Sequence, residues 1–598
     1  MRKYFIESVD ELIELGEAAL GLRRSTLAIT NANIVNVYTG TINEGTILIY
    51  KDRAAGLVNG SFKAEKVFDG KGKYAIPGLM DAHMHIESTM LLPTELSKLL
   101  IPHGVTSIFA DPHEIANVLG VRGVKLLLEL ASKSLIRVFI EVPSRVPTAP
   151  QLEDTGSFLG IDETLDLLSL DNSVSLGELN YQNVLGENKA FYLEKILLAD
   201  SLGKIVNGHM AGVSPETLNA LGSLGLLDDH ETLNGAEAVE RLKRGIAVMV
   251  REGSTERNLK DIIKDIIKIP DKRKVLMCTD DKHPKDILYE GHIDYNVRKA
   301  IELGMDPIEA IQTATINIAQ HFGIDSYVGA IAPLRKADIV LIDSLEKLSI
   351  SHVFFDGKHV FMDGKLLVEL PKPKIPEWAL KTIKISRELR SEDLVLKAPI
   401  SEGSVKVRVM GVVEDQIVVK ELSCWLSVKD GFILPDLEND VLHIAVVERH
   451  RGLKSVGKAF VKGFGLKKGA IASSVAHDHH NIVVVGVNAE EMYAAVKYLE
   501  KYGGGFVVVE NRSLRAIVDL PFAGLLSLDT AEEVIDKLER ANVEAKRLGC
   551  KLKSPFMQLE FITLPTVPEL GLTNKGLVDS RNYRVCLLYT SDAADDGE

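Results

Sequence analysis

Asp81-Ala82-His83-Met84-His85 follows the apolar run 74–80, which sets two imidazoles two residues apart at the end of an expected strand. Side chains of a strand alternate between faces, so both histidines point the same way. Two neutral imidazoles converging from one rigid element supply half the ligands of a divalent ion, and imidazole suits zinc, iron, manganese and nickel. Taken alone, an HxH pair is more often a surface accident or a satisfied structural pair. Its meaning depends on what other elements bring beside it.

Seven further short apolar runs follow, separated by helix-like segments, and each ends in polar or ionisable residues. The runs 107–110, 137–140 and 174–177 end in Asp111-Pro112-His113-Glu114, in Glu141 and in Glu178-Leu179-Asn180. The runs 204–208, 225–227 and 246–250 end in His209, in Asp228-Asp229-His230-Glu231 and in Arg251-Glu252-Gly253, and 275–279 ends in Asp280-Asp281. Helical patterns at 118–132, 190–202 and 236–243 complete the alternation of a parallel sheet. Eight such units between about Tyr74 and Phe322 match the roughly 250 residues of an α/β (β/α)8 TIM-type barrel. Parallel strands deliver their C-terminal ends to one rim, so His83, His85, Glu178, His209, His230 and Asp280 are expected in one pocket. They outnumber what one ion needs, and a carboxylate can bridge two ions, which predicts a two-metal site.

The segments Pro77-Gly78-Leu79-Met80-Asp81-Ala82-His83-Met84-His85-Ile86-Glu87-Ser88 and Ala110-Asp111-Pro112-His113-Glu114-Ile115-Ala116-Asn117, with Gly177-Glu178, Gly208-His209, Asp229-His230-Glu231, Arg251-Glu252-Gly253-Ser254 and Cys278-Thr279-Asp280-Asp281, resemble the adenine deaminases of the amidohydrolase superfamily. The resemblance runs from about Thr26 to Asp579. It implies hydrolysis of adenine to hypoxanthine and ammonia by attack of a metal-activated hydroxide on C6, in purine salvage. It implies metal ligation by the six rim residues, and two divalent ions, manganese or iron. Glu178 and Asp280 are the candidate proton carriers, with His230 beside them in the catalytic set. A Thr-Asp-Asp run similar to that of adenosine deaminases makes Asp281 the candidate base-reading residue. His113, at the end of the second strand, either lines the pocket or caps the helix starting near Ile115, and is carried as substrate-binding. Two alternatives stay open: another amidohydrolase, such as a cyclic amidase, and a non-catalytic homologue.

Other polar features have plainer readings. Histidines 103, 292, 321, 352, 359 and 443 are expected to be structural or on the surface. His85-Ile86-Glu87 mimics half of the zinc deaminases that act on nucleic-acid bases, but the four cysteines, 278, 424, 550 and 586, contain no P-C-x-x-C partner. Gly503-Gly504-Gly505 lacks the spacing and lysine of a P-loop. His477-Asp478-His479-His480-Asn481 is a second polar constellation, expected to face the barrel mouth or a neighbouring subunit and kept outside the catalytic set.

The 598 residues carry a net charge of −14 and scattered cysteines, which argues against a disulfide framework and a basic nucleic-acid face. The first twenty residues fit an amphipathic helix better than a secretory signal, and no apolar run reaches a membrane span. A cytoplasmic enzyme acting on a small purine base, homo-oligomeric and without nucleic-acid or membrane partners, is expected. The expected domains are an N-terminal helix with the first part of a small β domain (1–73), the barrel (74–325) and the rest of the β domain (326–370). A C-terminal α+β domain (380–579) follows, and 585–598 looks like a non-native tail.

Overall fold

The computed structural model describes residues 8–413, 418–567 and 569–586, so most of the expected non-native tail lies outside the described residues. Its centre is a parallel sheet whose strands pair in chain order: β1 (Leu79–Met84), β2 (Val105–Ala110), β3 (Arg137–Val142), β4 (Ser173–Asn180), β5 (Ile205–His209), β6 (Leu226–Asp229), β7 (Ala247–Arg251) and β8 (Val275–Cys278). The ring closes between β8 and β1 through Asp280, whose N–H donates to the His83 carbonyl at 3.0 Å and whose carbonyl accepts the His85 N–H at 3.2 Å. Closure therefore occurs at the residues expected to do chemistry. Helices alternate with the strands, among them Lys189–Ser201, Gly235–Lys243 and Leu259–Ile266, the last burying the apolar stripe Leu259, Ile262, Ile263 and Ile266.

The interior is packed, as in other barrels of this size. Met80, Ala82, Phe109, Phe139, Val174, Met249 and Leu276 form one buried cluster, and Phe109 stacks on Phe139 and Phe322 with centroids 4.9 and 4.2 Å apart. A plugged interior leaves the C-terminal rim for binding.

Tyr74–Pro77 is not part of the barrel, although the apolar run 74–80 placed it there. It pairs in parallel with Ser25–Asn36 and antiparallel with Ile339–Ile342, joining the two halves of the small β sheet. Gly78 separates the two strands because a Cβ there would lie 2.1 Å from the Thr106 hydroxyl. Hydrophobicity cannot register such a switch, since both strands are buried. The helix expected at 118–132 spans His113–Ala131 and is kinked where Gly120 takes φ 63°.

The C-terminal part contains a second nine-stranded sheet, from Gly403–Val412 to Ser513–Asp519, with helices Ala489–Tyr502 and Ala531–Arg547 packed on it. Its segment 474–481 and the helix Pro555–Phe561 lie over the barrel mouth, where Asp478, His477 and Phe561 line the same cavity as the rim residues. Among the described residues no helix is long and apolar enough to cross a membrane.

Candidate metal centre

His83 is the fifth residue of β1 and His85 follows its end; both are buried, with rings 5.0 Å apart. Glu178 comes from β4 and Asp280 from just beyond β8, at φ 24° and 60°. A non-glycine residue in the left-handed region costs roughly 1–3 kcal/mol, so the surroundings must hold both there. Strain at the two carboxylates fits a functional site.

His83 Nε2 lies 3.0 Å from Glu178 Oε1 and 3.5 Å from Asp280 Oδ1; His85 Nε2 lies 2.9 and 3.1 Å from the same atoms. The opposite ring nitrogens are already engaged: His83 Nδ1 with the Glu141 carboxylate, and His85 Nδ1 with the Asp111 carbonyl at 3.0 Å. Donation from Nδ1 leaves the lone pair on Nε2. Two imidazole nitrogens and two carboxylate oxygens then face one another, a donor set that fits a divalent transition ion. Against the effect of burial, the neighbouring carboxylates raise both imidazoles well above their ordinary range, so an ion binding there displaces protons from Nε2.

A second group adjoins the first. The His230 ring stacks on His83 with centroids 4.2 Å apart, and its Nε2 lies 3.9 Å from Glu178 Oε1 and 3.6 Å from Glu231 Oε1. His209 Nε2 is 3.7 Å from the same Glu231 oxygen. Burial, and then the neighbouring His83, pushes His230 down to about 3, which keeps it a neutral lone-pair donor. Glu178 Oε1 is thus the atom closest to both groups.

Guanidinium groups hold the outward oxygens of Glu178 and Asp280. Arg145 binds Glu178 Oε2 and donates from Nε to the Glu178 carbonyl at 3.0 Å, while Arg251 Nη1 donates to Asp280 Oδ2 at 2.9 Å and to Glu231 Oε1 at 2.5 Å. Burial works to raise the pKa of Glu178 and of Asp280, but Arg145 for the first, and the histidines with Arg251 for the second, hold both well below the usual carboxylate range. Each carboxylate keeps one oxygen for the centre.

The centre opens into a cavity of about 100 Å³ lined by His85, His113, Glu178, His209, His230, Asp280 and Asp281 from the barrel, and by Phe561, Leu564, Thr566 and Val567 from the C-terminal part. Asp281 accepts the Ser88 hydroxyl on Oδ1. His113 faces the cavity and does not cap the helix; the Ile115 N–H is taken by Glu87 Oε1 at 3.0 Å. Asp478 reaches down to Arg145 Nη1 at 2.8 Å and lies 3.6 Å from His113 Nε2, so the C-terminal constellation buttresses the group that holds Glu178.

Several of these residues escaped the sequence reading. Glu231 lies two residues past the end of β6, where strand alternation no longer says which way a side chain points. Arg145 sits in a loop. Arg251 ends β7, a rim position that did signal the site, and Glu256 joins the cavity wall from the loop beyond. His292, expected to be structural, lies 3.4 Å from Asp81 Oδ2 beneath the centre.

A cluster able to bind metal at the C-terminal rim of a (β/α)8 barrel, flanked by a β sheet assembled from both sides of it, defines the amidohydrolases, and residues 74–367 match that family. Residues 416–584 match the adenine deaminase C-terminal domain. The adenine deaminase of Desulforamulus reducens is 45% identical over 96% of this chain and 98% of its own length. Those of Methanothrix thermoacetophila and Kosmotoga olearia are 40% and 39% identical, over 95% and 97% of this chain and 98% and 99% of their own. The chain belongs to the adenine deaminase family of amidohydrolases.

Proposed function

We propose that this chain hydrolyses adenine to hypoxanthine and ammonia, with His83, His85, Glu178, His209, His230 and Asp280 holding two divalent transition-metal ions, manganese or iron. The observation that carries the chemistry is the meeting of two imidazole nitrogens with Glu178 Oε1 and Asp280 Oδ1 at the cavity floor. The choice of adenine is supported by kinship over the whole chain. When bound, such ions lower the pKa of water towards ~7 and so provide a nucleophile at neutral pH.

The side chains divide the remaining work. Water adds to C6 and loses its protons, N1 gains one, and the exocyclic amine gains another before it leaves as ammonia. Glu178 and Asp280, kept ionised by Arg145 and Arg251, accept protons at the point of attack. Glu256, in the same cavity wall, is pushed up to about 7 by burial and can return one. Asp281 and His113 read the edges of the base, and Phe561, Leu564 and Val567 offer the flat ring an apolar surface. In this reading the enzyme is cytoplasmic and homo-oligomeric, with a free purine base as its substrate.

The test is one assay of the manganese- or iron-loaded protein, following ultraviolet absorbance and ammonia with adenine, adenosine, cytosine and dihydroorotate. Turnover of adenine with little or none of the others is expected. Activity confined to dihydroorotate would establish a cyclic amidase, and silence on all four with metals bound would leave a non-catalytic homologue.

A further inference from the structure

Beside the centre, where the segment 474–481 meets the first turn of the helix His113–Ala131, lies a second set of buried groups with a different character. Glu114 and His480 are 0% exposed and His477 is 8% exposed. Neither carboxylate oxygen of Glu114 and neither ring nitrogen of His480 has a hydrogen-bond partner among the described residues. An orphaned buried polar group costs roughly 1–3 kcal/mol, and four such atoms at one seam require a cause.

We infer that Glu114, His477 and His480 form a third divalent-metal site, separate from the rim centre and shared between the barrel and the C-terminal part. One ligand atom from each lies within 4.8 Å of the others. His477 Nδ1 is 3.8 Å from Glu114 Oε1, too long for a hydrogen bond. Two ligands about 2.1 Å from one tetrahedral ion stand about 3.4 Å apart, so the separation suits a shared ion. The other His477 nitrogen faces Glu560 Oε2 at 3.9 Å, which is also beyond hydrogen-bond distance but places a carboxylate on the outer side of the ring.

The surrounding charge points the same way. The carboxyls that act on Glu114 are Glu87, Asp281 and Glu560, and burial together with Glu87 holds its carboxyl well above the usual carboxylate range. His85 does not serve Glu114, because its two nitrogens are taken by the Asp111 carbonyl and the rim carboxylates. Two imidazoles and one carboxylate select a first-row transition ion over calcium or magnesium, which call for oxygen ligands. Such an ion would pin the C-terminal part to the barrel beside the cavity that both line.

The experiment is metal analysis of the intact protein equilibrated with Mn²⁺, with Zn²⁺ in parallel, followed by anomalous diffraction from the same material. Three ions per chain are expected, falling to two in Glu114→Gln and in His480→Gln, with an anomalous peak among Glu114, His477 and His480. Loss of the rim ions instead would appear as missing peaks at His83 and His230, so failure of the rim reading is distinguishable. If either variant does not fold, the wild-type map decides. A fully loaded wild type with peaks at the rim and none at the seam overturns the inference.

Discussion

The rim centre and the seam beside it are made of the same residue types and lie against the same cavity, yet their charges are managed in opposite ways. At the rim, Glu178 is held by Arg145, Asp280 and Glu231 by Arg251, and His83 by Glu141. At the seam, Glu114 and His480 are buried with no side-chain hydrogen-bond partner among the described residues. Arginine clamps fix geometry even without an ion, so the rim is organised in advance; the seam is organised only by what binds there. A site for fast chemistry needs the first arrangement, and a structural tie can use the second.

The largest effect should come from breaking the rim. Glu178→Gln keeps the shape but removes the charge, and turnover should fall 10²–10⁴-fold while purine binding changes little. Thermal melting of the variant, measured alongside, should show the fold intact. Wild-type turnover with metals in place would remove Glu178 from both the ligand set and the proton path.

Glu256 sharpens the contrast from the protonated side. A donor must hold its proton, and the group titrates at about 7, so turnover should decline as pH rises through that value. Glu256→Gln should lower the maximal rate by about 10²-fold and abolish that alkaline limb. An unchanged pH profile would exclude Glu256 as the donor.

Asp478 links the two regions, since it is the C-terminal group on Arg145. Asp478→Asn weakens the support of a ligand without removing one, for which a loss of about 10–100-fold in metal affinity or turnover is expected. Titration with Mn²⁺ followed by the adenine assay measures both. No change in either would mean that Arg145 is set by Glu178 alone.

The smallest effect belongs to the seam. In protein stripped of metal by a chelator, Glu114→Met replaces an orphaned carboxyl by an apolar group of similar shape and should raise stability by roughly 1–3 kcal/mol in denaturant unfolding. A loss of stability would show that Glu114 has a compensating partner after all.

How much of this was legible in the sequence follows the same division. The βα alternation and the meeting of His83, His85, Glu178 and Asp280 could be read because strand ends obey barrel geometry whatever the loops do. The strand Tyr74–Pro77 was misplaced because continuous hydrophobicity hides a change of sheet at Gly78. Glu231, Arg145 and Glu256 sit beyond strand ends or in loops, where periodicity carries no direction. Asp478 lies 333 positions from Arg145, and such a contact follows only from how the C-terminal part docks.

The most direct measurement is of adenine hydrolysis across a cycle of metal removal and return. Purified protein, stripped by a chelator and reloaded with manganese or iron, is given adenine while hypoxanthine and ammonia are both quantified. The account predicts no turnover when stripped, recovery on reloading, and one ammonia for each hypoxanthine. Sustained turnover by the metal-free protein, or none on adenine once the rim is loaded, would contradict it.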